Sequence, residues 1–226
     1  MTNQLATKAA EAGLIVKSNS AVEGIEGMDD KDLKFGSVVL VQDTTKVFTK
    51  KGLKGGELVN HLTERKIEDT SFIPAFMTKQ WFLYDNTGSQ PKFVLASSNE
   101  NDPAFNGKLR RGDNEKKLKA EVIPVILVVA IMEGQPVKIS FKKASGYPAG
   151  QKLYTYAKDA ARSKNLPLFG QKYKLVTTEA PAKNGNPEYW QLGVEVVGET
   201  TEDERSFARS LSASFKAAPV VEEVPF

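Results

Sequence analysis

The chain has 226 residues, no cysteine and one histidine, His61, with 40 % hydrophobic and 26 % charged residues and a formal net charge of +3. That composition describes a folded protein with a real core: one large domain, or one domain with appendages. It excludes a disulfide framework, a thiolate nucleophile, a cysteine-ligated zinc, an iron–sulfur cluster and a multi-histidine metal site.

Thr2–Ala12 reads as a short helix and Ala21–Asp32 as loop, so residues 1–35 form an N-terminal arm. Met1–Gly13 lacks the apolar stretch of a signal peptide, and with no cysteine a cytoplasmic address is expected. Gly36–Gln42 suits a buried strand. Lys50–Gly56 is a basic, turn-rich loop. Leu58, Val59 and Leu62 at roughly helical spacing predict a helix over Glu57–Ile67, carrying His61. Lys79–Tyr84, the turn Asp85-Asn86-Thr87-Gly88 and Lys92–Ala96 read as a hairpin. Ser97–Asn114 is polar and rich in turn residues, and it runs into the basic cluster Lys108-Leu109-Arg110-Arg111 followed by Lys116, Lys117 and Lys119. Long connections of this kind are usually functional or disordered, so residues 97–119 are expected to form a basic flap.

Val122–Met132 is a buried strand; it holds Pro124 and is too short for a membrane span of about 20 residues. Val137–Lys143 and Gln171–Thr178 alternate apolar and basic residues, as half-buried strands do. Pro148–Lys164 is helical. Lys183-Asn184-Gly185-Asn186 is a hairpin turn, and Tyr189–Val197 is the returning strand. Thr201–Phe215 is a helix, with Thr200 or Thr201 as N-cap and three acids in its first turn. The expected fold is mainly β with helices (α+β): an OB-like antiparallel β-barrel decorated by two or three helices. Residues 36–216 form its single domain and residues 217–226 an acidic tail.

Charge is unevenly distributed: residues 1–100 carry −1, residues 101–180 carry +8 and residues 181–226 carry −4. A basic middle and an acidic end point to nucleic-acid contact plus an acidic tail. Lys138 and Lys142, and Lys172 and Lys174, lie an even number of residues apart, so each pair shares one face of its strand. Aromatic residues accompany them: Trp81, Tyr84 and Phe93 on the first hairpin, Tyr189 and Trp190 on the last. Lysines for phosphates and rings for bases are what sequence-tolerant single-strand binding requires. The candidate phosphate contacts are therefore Lys108, Arg110, Arg111, Lys116, Lys117, Lys138, Lys142, Lys172 and Lys174. The candidate stacking rings are Trp81, Tyr84 and Trp190. Phe72, Phe76, Phe141, Phe169 and Phe207 are expected in the core.

No phosphate-binding GxxxxGK[ST], GxGxxG or GxSxG pattern is present. The acidic clusters Asp29-Asp30-Lys31-Asp32 and Glu202-Asp203-Glu204 fall in a loop and a helix first turn. An enzyme is thus not expected, and no cofactor or metal is called for.

The chain ends Val221-Glu222-Glu223-Val224-Pro225-Phe226. This resembles the acidic C-terminal tip of bacterial single-stranded DNA-binding proteins, with Val224 where that family has isoleucine, fewer acids and a shorter spacer. The succession of strands, helix and hairpin over Val137–Val197 resembles the single-stranded DNA-binding proteins of tailed bacteriophages. The resemblance implies an OB barrel that coats single-stranded DNA. It also implies that Glu222, Glu223, Val224, Pro225 and Phe226 recruit replication or recombination proteins. A homo-oligomer stays open as a partner, and no membrane partner is expected. The rival readings are a virion structural or assembly protein with no nucleic-acid affinity, and a metal-dependent DNA-processing enzyme.

Overall fold

The computed structural model describes residues 35–87, 91–106, 109–110, 120–181 and 188–217, with only the backbone course given at 109, 110, 216 and 217. The strands are β1 (Gly36–Leu40), β2 (Leu58–Asn60), β3 (Arg65–Lys66), β4 (Ser71–Asp85), β5 (Lys92–Ser97), β6 (Leu109–Arg110), β7 (Ala120–Met132), β8 (Gln135–Lys142), β9 (Gln171–Ala180) and β10 (Tyr189–Glu199). The helices are α1 (Lys46–Thr49), α2 (Lys143–Lys164) and α3 (Glu202–Ala217). The N-terminal arm, the tip of the last hairpin and the acidic tail lie outside the described residues.

All ten strands join one sheet in the order β10-β9-β4-β7-β8-β1-β2-β3, with β5 beside β4 and β6 beside β7. The sheet is mixed rather than antiparallel, because β1 runs parallel to β8 and β6 parallel to β7. It curls into a half-barrel compatible with an OB-like α+β fold. The β7 strand is buried on both faces, which is why it reads as an unbroken apolar run. On the concave face, Val128, Ala130, Ile139, Phe141, Phe72, Tyr173 and Val194 pack against Ala149 and Leu153 of α2. Burial pushes the Tyr173 phenol up to about 12, so it stays neutral and donates to Gln171 Oε1 at 3.0 Å. On the opposite face, Ile73, Ala75 and Ile131 meet Ala208 of α3, with Phe169, Phe207 and Leu211 alongside.

The helix expected over Glu57–Ile67 does not form. Leu58 and Val59 are both buried because they point to opposite faces of β2, which pairs with β1. Asn60 Oδ1 accepts from the Leu62 amide at 3.0 Å, and Glu64 takes a positive φ of 55°, turning the chain into β3. Leu62 is left 55 % exposed, and the one histidine packs edge-on to Phe48. The first hairpin strand is longer than expected, running from Ser71. Its alternation is broken by a register shift between Pro74 and Phe76, a bulge where a strand tolerates a residue without N–H.

A side chain joins β10, at one end of the sheet, to the chain just past β1. Gln42, just past β1, donates from Nε2 to the Trp190 carbonyl at 2.9 Å and accepts from the Trp190 amide at 2.8 Å. The Trp190 indole N–H donates to Asp43 at 3.2 Å. Gly56, at φ +85°, lies so close to the indole that a Cβ there would sit 2.6 Å from Cε3. Among the described residues, no helix is long and apolar enough to cross a membrane.

Candidate nucleic-acid interface

The long strand β4 has β9 beside it at Ser71 and Phe72, and β5 beside it from Trp81 to Asp85. Between them, that edge of β4 carries no strand partner among the described residues, because the β9–β10 hairpin peels away toward β1. A groove of about 640 Å³ opens there. Lys79 and Trp81 come from β4, Tyr189 and Gln191 from β10, and Lys143, Ala144, Tyr147 and Pro148 from the first turns of α2. Val122 and Pro124 of β7 complete it with Glu100. Lys79 and Trp81, two apart on a strand, point the same way, and Lys79 Nζ stands 4.4 Å above the indole centroid.

Helix α2 starts directly from β8 with no intervening loop. Lys143 absorbs the change of direction in the left-handed region, at φ 56°. Its N-cap position, Lys142, makes no side-chain capping bond, so the first-turn amides have no capping side chain at the groove. The positive end of the helix dipole therefore adds to the charge of Lys79, while Lys143 Nζ stands 5.6 Å from the Tyr84 ring centroid. Lys79 over Trp81, with Tyr147 and Tyr189 in the lining, makes the groove suited to phosphates and flat rings.

The residues expected from sequence to bind are distributed differently. Tyr84 is a correction: it is 1 % exposed and packs with Phe82, Ile123 and Phe93, so no base reaches it. Lys142 donates to the Tyr84 hydroxyl at 3.3 Å. Lys138 and Lys142 share a face of the sheet with Lys172 and Lys174, but β7 and β4 lie between the two pairs and α3 is laid over that face. Lys172 is held at 2.7 Å by Glu204 of α3, while Lys174 is exposed. Trp190 is clamped by Gly56, Asp43 and Gln42, as described above. Trp81 alone of the three rings lines the groove. Lys108, Arg111, Lys116, Lys117 and the Arg110 side chain lie outside the described residues, as do Glu222, Glu223, Val224, Pro225 and Phe226. Within the flap, Phe105 is buried against Leu83 and Val122, and Asp102 accepts from the Ala104 amide at 2.9 Å. That part is packed chain.

Sequence reading missed Lys79, Lys143, Tyr147 and Gln191. The Lys-x-Trp spacing of Lys79 and Trp81 was the available signal. Lys143 and Tyr147 carried none, since they reach the groove only through the abrupt turn from β8 into α2. Among the described residues no three histidine or acidic side chains gather as a metal would require.

Fold and groove together define a curled-sheet α+β protein with an open cleft lined by rings and cations. More narrowly, the chain belongs to the Pam3 phage gp34-like protein family, whose model matches residues 6–220. No curated protein and no solved structure matches it.

Proposed function

We propose that this phage-family protein binds single-stranded DNA without strong sequence preference, by phosphate contacts and base stacking, and recruits replication or recombination proteins through Glu222–Phe226. The observation that carries the reading is Trp81 in an open groove with Lys79 over its ring, and Lys143, Tyr147 and Tyr189 in the lining. Trp81 is half-buried against Leu83, Phe105 and Val122, and a cation over a ring at the surface is worth about 0.5–1 kcal/mol. A stacked base is worth about 1–3 kcal/mol. An incoming base therefore displaces Lys79 from the indole at a net gain, and the freed ammonium is placed for the adjoining phosphate. Duplex DNA keeps its bases stacked inside and offers the groove only its phosphates.

The test is fluorescence anisotropy of a labelled oligothymidylate and a matched duplex, at low and moderate salt. Salt-sensitive binding to the single strand, with weak duplex binding, is expected. Trp81→Ala should weaken single-strand binding by about 5-fold to 100-fold. Absence of binding to either nucleic acid overturns the reading and favours a virion structural or assembly role.

A further inference from the structure

We infer that the single-strand track does not end at the groove but continues along the outer face of α2, through Gln151, Tyr154, Lys158 and Arg162. This rests on the reading of the groove as a single-strand site and extends it to a second surface.

The helix begins in the groove with Lys143 and Tyr147. From there, steps of three or four residues lead to Gln151, Tyr154, Lys158 and Arg162, so all six side chains lie on one stripe. The last four are exposed, while Gly146, Ala149, Gly150, Leu153 and Ala160 turn to the core. The stripe spans about 28 Å at about 1.5 Å per residue.

Its chemistry repeats that of the groove. Tyr154 is a large ring left 53 % exposed, and Lys158 Nζ stands 5.7 Å from its centroid. This is the same cation-over-ring unit as Lys79 and Trp81. Arg162 adds a further cation one turn on. The stripe itself holds no acid: Asp159, the one acidic residue of α2, is turned about 100° from Lys158. A lone exposed tyrosine on a helix needs no explanation. A ring and two cations on a stripe without acids, in line with a groove lined by rings, cations and Glu100, match a flexible polyanion with flat bases.

The experiment uses the full-length chain and two labelled oligothymidylates, one of about 5 nucleotides that the groove accommodates and one of about 20. The variants are Tyr154→Ala and the pair Lys158→Ala with Arg162→Ala, all at exposed positions, with circular dichroism to check folding. Tyr154→Ala should weaken the long oligonucleotide about tenfold and leave the short one unchanged. The lysine–arginine pair should lower the salt slope for the long oligonucleotide by about 1.4. If the folded variants bind both lengths as the wild type does, the inference is overturned while the groove reading stands. If the wild type binds neither length, both fall together.

Discussion

Lys143 carries two costs in one residue. Its backbone sits in the left-handed region, which disfavours a side chain with Cβ by roughly 1–2 kcal/mol. Its ammonium also stands 5.6 Å from the Tyr84 ring centroid, where Lys142 Nζ stands at 5.7 Å, so two positive groups share one ring. Both fall where a strand must become a helix at the edge of the groove proposed to bind single-stranded DNA. Lys143→Gly should therefore raise stability in urea by about 1 kcal/mol. The same change should lower the salt slope of single-strand binding by about 0.7. Stability and binding moving in opposite directions is the signature; a substitution that lowers both assigns Lys143 to the scaffold. Gln80 offers a contrast within β4. It is 8 % exposed and its Oε1 is buried with no hydrogen-bond partner. A buried acceptor left unmade costs about 1–3 kcal/mol. Gln80→Met should be neutral or stabilising by about 1 kcal/mol in a denaturant titration, and a clear loss would mean that the amide serves the fold.

At the scale of elements, α3 shows what a local pattern can specify. Thr201 Oγ1 accepts from the Glu204 amide at 3.3 Å, and Glu204 Oε2 accepts from the Thr201 amide at 2.9 Å, a complete capping box. The same Glu204 takes Lys172 of β9, tying the helix to the sheet. Partial burial raises the Glu204 pKa, but the bonds from Lys172 and Thr201 outweigh it, and the net shift is downward from 4.5. A carboxylate lowered by folding stabilises above its unfolded pKa, and that contribution is lost as pH falls through the folded value. The melting temperature of the wild type should thus drop more steeply than that of Glu204→Gln as pH is lowered from about 6 to about 3. Thr201→Ala should cost about 1 kcal/mol at neutral pH. Elements that carry their own period or cap were legible in this way: β7, β8, β9 and α3 fall close to their expected positions, whereas α2 ends where expected but starts at Lys143, five residues before the expected Pro148, which lies inside it. The stretch from Leu58 to Ile67 was not, because three apolar residues fit two periods. What decides is β1, whose Val38 and Leu40 take Asn60 and Leu58 as ladder partners. The candidate site was less legible than the fold. Alternation showed that Lys138, Lys142, Lys172 and Lys174 point away from the core, but not that α3 would lie across their face. Burial of Tyr84 was equally hidden, since a tyrosine at a strand end fits core and surface alike until β5 brings Phe93 against it.

At the scale of the whole molecule, the groove depends on how the sheet closes. β1 is already paired by β8 and β2, so β10 forms no full ladder with it, and no contact between them would let the last hairpin swing away. The structure lies between these extremes, with one glutamine amide imitating a strand residue and one indole seated on Gly56. Trp190 stands between Tyr189 and Gln191, the two β10 residues that line the cleft. The lock that joins β10 to the chain after β1 thus also holds the β10 side of the cleft. Gln42→Ala removes two hydrogen bonds, each worth about 1 kcal/mol, and should cost about 2 kcal/mol of stability in urea. It should also weaken single-strand binding severalfold, although Gln42 does not line the groove, because an unlocked β10 must be ordered again when DNA binds. The control is Thr201→Ala, which destabilises the distant α3 and should leave affinity unchanged. If the two variants bind alike once folding is accounted for, Gln42 holds the fold but not the groove; if only Gln42→Ala loses affinity, closure of the sheet is what builds the site.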